Sequence, residues 1–243
     1  MMITSRERGR PRRRPGGEAR AIRPKSIVDR KSDPAARLRE AITGGKFLPN
    51  ERLIETELAE FLGTNRANVR TALARLEQEG LVVSEPNRGA RVRLVSEAEA
   101  IEITQARAAL EALVARQAAV RATETDRARL RQFQREMHAA VEGGDLIGYS
   151  TVNGKLHGEI QRIAGHGTAS GLLATLKSQI VRFQYRAILL PGRAARSLAE
   201  HDAIVEALCA GDPDAAERAT RAHFEQVVDA LARAIEAAKL TQI

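Results

Sequence analysis

The sequence is poor in the residues that support several common classes of protein. It has one cysteine, no tryptophan, two tyrosines and five phenylalanines in 243 residues. A single cysteine, Cys209, excludes an internal disulfide and fits the reducing cytoplasm. The shortage of aromatic rings argues against stacking platforms for single-stranded nucleic acid. No apolar run resembles a signal peptide or a membrane span, so we expect a cytoplasmic protein without a membrane partner.

Positive charge is concentrated at the N-terminus. The chain has a formal net charge of +8, and residues 1–25 contain nine Lys/Arg against two Asp/Glu. Because this segment has too few apolar residues to bury, we predict that residues 1–30 form a disordered basic tail. One interpretation is a solvated tail, or a start codon assigned too far upstream. The other is an arm that adds salt-sensitive, sequence-independent contacts to DNA phosphates.

Residues 51–93 have the spacing of two short helices followed by a hairpin. The first run has four apolar residues at helical spacing, Leu53, Leu58, Phe61 and Leu62. Gly63 ends this run, and a second amphipathic helix starts at Asn65. Its apolar face consists of Val69, Leu73 and Leu76. This arrangement predicts a helix-turn-helix.

The second helix of the pair has arginines on its exposed side. Arg66 and Arg70 lie one turn apart, opposite the apolar face, where a recognition helix presents side chains to base edges. Beyond this helix the sequence predicts two short strands and a tight turn, at 81–83, 90–94 and 86–89. Together they form a wing tipped by Arg88 and Gly89.

From residue 96 onward the apolar spacing is helical, with few breaks. Ser96 and Glu97 are predicted to begin a new helix. We predict six helices, near 97–120, 124–142, 145–164, 168–190, 193–210 and 213–238. The fold class is therefore mainly α, with a winged helix-turn-helix followed by an antiparallel six-helix bundle. The expected domains are a basic tail at 1–30, the winged helix at 31–95, an all-helical domain at 96–238 and a tail at 239–243.

Four residues of the predicted bundle are candidates to meet around one divalent cation. Asn153 and His157 are four residues apart on one helix, so their side chains share a face. His201 and His223 lie eleven residues before and eleven after Asp212, in the turn between the last two helices, so they should lie at matching heights. Three imidazoles and a carboxamide suit a metal with positions left for water or a carboxylate. The alternative is that each histidine, taken alone, is an ordinary hydrogen-bonded residue of the core or the surface.

Residues 51–93 resemble the winged helix of the GntR family of bacterial transcription regulators. The segments that carry the resemblance are ERL at Glu51–Leu53, ELAEFLG at Glu57–Gly63, NRANVRTALARLEQEGLV at Asn65–Val82 and RGA at Arg88–Ala90. The family usually has Ser or Thr at the position of Asn65, and Thr-Pro at that of Ala67-Asn68. The expected DNA-binding residues are Asn65, Arg66, Asn68, Arg70, Arg88 and Gly89.

Residues 97–238 resemble the all-helical effector domain, called FCD, of the FadR subfamily. The segments that carry this resemblance are RAALEALVARQAA at Arg107–Ala119, NGKLHGEIQRIAGH at Asn153–His166, EHDAIVEALCAGD at Glu200–Asp212 and ERATRAHF at Glu217–Phe224. Members with this site bind zinc, nickel or a similar ion through three histidines and a fourth residue, often Asp. The resemblance therefore implies that the metal ligands are Asn153, His157, His201 and His223.

The resemblance also places Arg107 in an effector pocket, where its planar fork suits a carboxylate. The alternative is a surface ion pair with Glu111, four residues further along the helix. Arg182 and Arg186, one turn apart on the fourth predicted bundle helix, are further candidates to reach the cavity, or else belong to a solvated face. His138 and His166 fall outside the pattern.

The function implied by the resemblance is ligand-controlled binding of double-stranded operator DNA by a homodimer. A small carboxylate effector would bind the metal and Arg107. We expect the protein to be a repressor that this ligand releases from its operator. One alternative is a regulator for which the metal itself is the signal. An enzyme that activates water at the metal is another, but we expect none because no nucleophile–base pair has motif spacing. A protein that coats DNA without sequence preference is the third.

Overall fold

The computed structural model describes residues 33–85 and 89–240. Its N-terminal part begins with α1 (Pro34–Thr43), which Asp33 caps by accepting a hydrogen bond from the Ala35 N–H. Helices α2 (Glu55–Leu62) and α3 (Arg66–Gln78) follow. They are joined through Gly63, whose φ of +61° is a conformation that favours glycine. The predicted helix-turn-helix is therefore confirmed.

A three-stranded antiparallel sheet completes the N-terminal part. Its strands lie in the order β1-β3-β2 and are β1 (Arg52–Leu53), β2 (Val82–Glu85) and β3 (Gly89–Val92). Strands β2 and β3 are the predicted wing. The assignment of Leu53 to a helical run was wrong, because Leu53 lies in β1 opposite Ala90 and is buried there. A strand of two residues has no periodicity to detect, and one buried leucine fits either element.

The C-terminal part is an antiparallel bundle, as predicted. The described residues form seven helices in it: α4 (Glu97–Arg121), α5 (Glu124–Glu142), α6 (Leu146–Ala164), α7 (Gly167–Gln179), α8 (Val181–Ile188), α9 (Arg193–Ala210) and α10 (Pro213–Leu240). Local signals set many of the ends. Ser96 caps α4, Thr123 and Asp126 form a capping box on α5, and Gly211 ends α9 with a φ of +71°.

The prediction of one helix over 168–190 was wrong, which is why the expected count of six helices is one too low. This segment divides at Ile180, where φ is −115° and ψ is 12°. Neither glycine nor proline marks the break. Ile180 is buried in an apolar cluster with Ile103 of α4 and Leu231 of α10. Tertiary packing, and no local sequence signal, therefore sets the break.

Helix α4 organises the bundle. It packs against α6, α7, α9 and α10, and its buried residues include small and aliphatic ones such as Ala112, Val114 and Ala118. Small residues allow close approach of neighbouring helices, so polar side chains from several helices meet beside α4. Within the described ranges, no helix is both long and apolar enough to cross a membrane.

Candidate metal centre and DNA-binding face

The exposed side of α3 carries the arginines expected to contact DNA. Asn65 caps α3, because its Oδ1 accepts the Asn68 N–H at 2.9 Å. Arg66 and Arg70 expose 58% and 62% of their side chains. The opposite face of the helix, which includes Val69, is buried. The helix is thus oriented as a recognition helix must be to present side chains to a groove.

Glu55, the first residue of α2, contacts both arginines. Its Oε2 accepts from Arg66 Nη2 at 3.0 Å, and its Oε1 accepts from Arg70 Nε at 2.8 Å. The hydrogen bond from Arg70, followed by that from Arg66, lowers the pKa of the Glu55 carboxyl. One ionised carboxylate therefore fixes the positions of two guanidinium groups. No spacing in the sequence distinguishes Glu55 from the other glutamates of α2.

The remaining expected DNA contacts are Asn68, in the first turn of α3, and Arg88 and Gly89 of the predicted wing. Asn68 Nδ2 donates to Thr64 Oγ1 at 2.9 Å, so this side chain braces the turn. Gly89 begins β3 with a φ of +84°, which favours glycine. Arg88 lies outside the described residues.

Three histidines from three helices converge inside the bundle. His157 lies on α6, His201 on α9 and His223 on α10, and one ring nitrogen from each lies within 4.8 Å of the others. The Nε2 atoms of His157 and His201 are 3.2 Å apart. The matching heights predicted from the spacing about Asp212 are therefore confirmed.

The second ring nitrogen, Nδ1, of each histidine faces a hydrogen-bond acceptor. The three distances are 3.4 Å from His157 to Glu111 Oε2, 2.6 Å from His201 to the Ser197 carbonyl, and 2.7 Å from His223 to Glu200 Oε2. Carbonyl and carboxylate oxygens accept, so we assign the donor proton to each Nδ1 and a lone pair to each Nε2. Acceptors in this position orient the histidines of metal sites.

The resulting arrangement fits a cation. The Nε2 lone pairs of His157 and His201 face each other across 3.2 Å, and they repel unless a proton or a metal ion lies between them. Two nitrogen ligands of a tetrahedral zinc ion, each bound at about 2.0–2.1 Å, are separated by about 3.3 Å. The spacing of the imidazoles therefore suits a divalent metal.

Asn153 is one turn before His157 on α6 and lines the same cavity. Its Oδ1 is buried and has no hydrogen-bond partner. Leaving such an oxygen unpaired costs about 1–3 kcal/mol, and a bound cation would remove this cost. Asn153 as the fourth protein ligand stays a prediction.

The protonation states also suit a metal. Burial is the largest cause that lowers the pKa of His201 and of His223 well below the usual range, and the neighbouring histidines add to it. Both rings are therefore neutral near pH 7. Neutral imidazole is the form that binds metal ions.

A cavity of about 140 Å³ adjoins the histidines. Its wall includes Arg107 of α4 and Arg193 of α9. Arg193 forms a bidentate pair with Glu200, donating to both carboxylate oxygens at 3.0 and 2.9 Å. Arg107 Nη2 lies 3.4 Å from Glu111 Oε1, and its buried Nε has no partner. The cavity wall therefore contains a guanidinium group with an unused N–H.

The ion pair of Arg107 and Glu111 exists, but the alternative that it lies on the surface was wrong. Arg107 is only 5% exposed and Glu111 only 3%. Burial lowers the pKa of Arg107 and raises that of Glu111, but the contacts of Glu111 with His157 and Arg107 outweigh burial and bring its pKa to about 2. Glu111 is therefore ionised and connects a histidine of the cluster to the arginine of the cavity.

A third cation stands at the edge of the cavity. Lys177, in the last turn of α7, has its Nζ 3.7 Å from the position that a Cβ atom would take on Gly154 of α6. Desolvation and the nearby Arg107 lower the pKa of Lys177. Nothing in the sequence distinguishes Lys177 as a cavity residue, because helix α7 has no clear apolar stripe.

Other candidates lie elsewhere. The side chains of Arg182 and Arg186, in α8, lie outside the described part of the chain. His138 contacts Asp202 with an Nε2–Oδ1 distance of 3.0 Å on the outside of the bundle, and His166 caps α7. Neither of these two histidines belongs to the cluster.

Comparison with protein families gives two matches. The model described as "Bacterial regulatory proteins, gntR family" matches residues 32–92. The model described as "FCD domain" matches residues 102–226. The first covers the helix-turn-helix and wing, and the second contains all three histidines of the cluster.

Curated relatives span most of the chain. The HTH-type transcriptional repressor RspR of Escherichia coli K12 is 28% identical over 194 residues, which cover 80% of this chain and 85% of RspR. A second protein of E. coli K12, provisionally named as an L-lactate dehydrogenase operon regulatory protein, is 28% identical over 232 residues, with coverages of 85% and 83%. These relatives are similar proteins that regulate transcription, and no enzyme is among them.

Solved structures share the fold. E. coli McbR/YncC superposes with a TM-score of 0.71 at 23% identity and covers 85% of this chain and 99% of its own. A transcriptional regulator from Rhodococcus sp. RHA1 gives a TM-score of 0.63 at 23% identity, with coverages of 86% and 98%. The order of elements, the histidine cluster and both family matches agree: the chain belongs to the gntR family of bacterial transcription regulators and carries an FCD effector domain after its DNA-binding domain.

Proposed function

We propose that the protein is a homodimeric repressor whose affinity for an inverted-repeat operator is controlled by a small carboxylate bound at a metal site in the bundle. The observation that carries this proposal is the pair of Nε2 lone pairs, on His157 and His201, that face each other beside a cavity with a buried guanidinium. The facing lone pairs attract a metal cation, and the bound cation together with the guanidinium group then attracts an anion.

The metal would be held by His157, His201, His223 and Asn153. Imidazole nitrogen and a neutral amide oxygen suit zinc or nickel better than magnesium or calcium, which prefer carboxylates and water. When bound, the ion would supply positive charge and open coordination positions for a carboxylate. Glu111 and Glu200 orient two of the imidazoles, so loss of either would weaken the site.

The effector would be small and anionic. The cavity, at about 140 Å³, is well below the roughly 300–1,000 Å³ of sites for drug-sized ligands. Arg107 has an unused Nε–H, and Lys177 stands at the cavity edge. Both favour a carboxylate. The relative named for an L-lactate dehydrogenase operon makes L-lactate a suitable first probe.

The DNA contacts would come from α3 and the wing. Arg66 and Arg70 are the bidentate donors expected to read guanine, each worth about 1–3 kcal/mol of discrimination. Asn65 and Asn68 lie at the N-terminal end of α3, which suits contact with a phosphate. Gly89, with Arg88, would bring the wing backbone close to the minor groove.

The homodimer is supported by an apolar strip on α4. Leu113 and Val120, seven residues apart and therefore on one face of the helix, are 37% and 70% exposed. Leu172 of the adjacent α7 is 50% exposed. A second copy would cover these side chains and set two α3 helices at a fixed spacing. The effector would act by binding one spacing better than the other.

The test is operator binding by the full-length chain at about 150 mM salt, because nonspecific binding is weak there. The operator would be selected from random duplexes by the protein itself and then titrated with L-lactate and other small carboxylates, with and without a chelator. We expect a specific complex that one acid dissolves only in the metal-loaded protein. A complex altered by the chelator but by no acid would favour a metal sensor, and binding without sequence preference would contradict the proposal.

A further inference from the structure

A glutamine of the bundle is hydrogen-bonded to the end of the recognition helix. Gln179, the last residue of α7, donates from Nε2 to the Glu79 carbonyl oxygen at 2.8 Å. Its Oε1 lies 3.5 Å from Arg93 Nη1, and Arg93 also approaches the Gly80 carbonyl at 3.4 Å. A carboxamide both donates and accepts, so it can bridge two parts of the winged helix at once. We call the hydrogen bond from Gln179 to Glu79 the Gln179–Glu79 contact.

The residue that accepts this hydrogen bond lies at the end of the recognition helix. Glu79 is the C-cap of α3, the helix that carries Arg66 and Arg70. Its carboxylate also receives a bidentate pair from Arg39 of α1, at 2.6 and 2.5 Å. A shift at Glu79 would therefore move α3 together with α1. The local fold accommodates Gln179 closely, because a Cβ on Gly80 would lie 2.6 Å from Gln179 Nε2.

The same turn of α7 reaches the cavity. Lys177 lies two residues before Gln179 and lines the cavity together with Arg107. Residues two apart in a helix point to nearly opposite sides and rise by about 3 Å. One helical turn therefore contacts the cavity on one side and the winged helix on the other.

The surroundings allow this turn to shift. Helix α7 ends at Gln179, and the break at Ile180 separates it from α8. Beside the contact, between the winged helix and the bundle, lies a second cavity of about 370 Å³ lined by residues such as Leu81, Val95 and Phe183. An incompletely filled junction resists displacement less than a close-packed core does.

We infer that Gln179 is a coupling residue: through the Gln179–Glu79 contact, a change in the charge or occupancy of the Arg107 cavity displaces the C-terminal end of the recognition helix. This inference rests on the proposed function for the identity of the physiological signal. Any ligand that attracts the Lys177 ammonium into the cavity rotates the last turn of α7 and changes the position of the Gln179 carboxamide. The coupling requires the carboxamide, so an aliphatic side chain at this position removes this route of coupling and leaves the ion pair between Arg93 and Glu99 of α4 in place.

The test replaces a residue of the cavity and measures the response at the C-terminal end of α3. Amide hydrogen exchange at Glu79, Gly80 and Leu81 is measured in the full-length protein before and after Arg107→Met, a perturbation that needs no ligand. The comparison is made in three backgrounds: the natural chain, Gln179→Ala and Gln134→Ala. Gln134 is a matched control, because it also makes a side-chain hydrogen bond between helices, to Asp202 at 2.8 Å, but lies away from the junction. Zn²⁺ followed by L-lactate forms a second, ligand-based arm.

We expect Arg107→Met to change exchange at these amides by about two- to ten-fold in the natural and Gln134→Ala backgrounds, as for one hydrogen bond. In the Gln179→Ala background this change should vanish. An equal change with and without Gln179, or no change in the natural chain, would overturn the inference. Lys177→Met replaces Arg107→Met if the latter does not fold.

Failure of the coupling is separable from failure of the metal site. Calorimetric titration of Zn²⁺ into the natural chain and into Gln179→Ala reports the metal site alone. Binding of Zn²⁺ without any response at Glu79 would refute the coupling and leave the metal site intact. A response to Arg107→Met without Zn²⁺ binding would support the coupling and contradict the metal site.

Discussion

The Nε2 atom of His157 faces the Nε2 atom of His201 across 3.2 Å in the interior of the bundle. Both rings have their Nδ1 atoms directed at acceptors, Glu111 and the Ser197 carbonyl. A metal ion between the two facing nitrogens would remove the repulsion of their lone pairs, and protonation of either nitrogen would remove a lone pair that the metal needs. The binding of metal and the binding of protons are therefore linked.

The first prediction is that metal stabilises the fold through the histidine cluster. At a free Zn²⁺ concentration 100 times the Kd, the gain in the free energy of unfolding is about 2.7 kcal/mol. For a chain of this size the gain corresponds to roughly 5–10 °C in Tm. His201→Ala should lose this shift, measured by thermal unfolding with and without chelator. His138→Ala is the matched control and should keep it, and an equal loss in both variants would contradict the assignment.

The second prediction concerns Asn153, the neutral side chain proposed as the fourth ligand. Asn153→Asp puts an anionic oxygen where a buried, unpaired amide oxygen now lies, so the affinity for Zn²⁺ should rise by roughly 10–100-fold. Competition with a chromophoric chelator measures this affinity. Unchanged affinity would mean that the side chain at position 153 does not ligate the metal.

The third prediction is a pH dependence of the metal-free protein. Because the folded-state pKa values of His201 and His223 lie well below 6.5, the unfolded chain binds more protons than the folded chain as the pH falls below 6.5. The free energy of unfolding is therefore highest above about pH 6.5. It decreases toward acid pH by up to about 1.4 kcal/mol per pH unit for each histidine.

Urea unfolding between pH 7.5 and 5.0, with chelator present, checks this prediction. His201→Gln removes one of the two groups, so its stability should depend less steeply on pH, by about 1.4 kcal/mol per unit at most. His166→Gln serves as the control, since His166 lies outside the cluster. Parallel curves for the natural chain and His201→Gln would show that His201 does not titrate as expected.

The fourth prediction concerns Glu55, the carboxylate that pairs with the two arginines proposed to contact DNA. Glu55→Gln removes the negative charge that competes with DNA for Arg66 and Arg70. Affinity for random duplex DNA should therefore rise by about two- to ten-fold, while operator affinity rises less, because fixed arginine positions favour the correct bases. Fluorescence anisotropy with both duplexes gives the ratio. Glu57→Gln, on the exposed side of the same helix, controls for charge, and the same ratio in both variants would refute a positioning role for Glu55.

Apolar periodicity and the residues that favour turns and helix caps predicted much of this fold, because both depend on local interactions. Gly63 and Asn65 mark the turn and the cap that any helix-turn-helix needs at these places. The equal spacing of His201 and His223 about Asp212 predicted their meeting, since an antiparallel hairpin preserves height. The four-residue spacing paired Asn153 with His157, and the resemblance to the GntR family added Arg107 as an effector-binding candidate, which spacing alone does not identify.

What the sequence did not predict depends on packing between distant segments. Glu200 precedes His201 in the chain, yet its carboxylate contacts His223. Ile180 interrupts a helix without a glycine or proline, because its burial against α4 and α10 sets the geometry. Gln179 and Glu79 are 100 residues apart, and no local pattern relates them. Each is a contact that exists only after the chain has folded.

The central claim is that the metal and Arg107 together hold a carboxylate that controls DNA binding. The most direct measurement is the ratio of operator affinities without and with L-lactate, or the acid found active in the panel, for Zn²⁺-loaded natural chain, Arg107→Ala and Arg116→Ala. Arg116 lies on the same helix but pairs with Glu217 on the outside of the bundle. We predict a ratio of at least about five for the natural chain and Arg116→Ala. The ratio should be near one for Arg107→Ala and for the chelated natural chain. An undiminished ratio in Arg107→Ala, or in the chelated protein, would contradict the account.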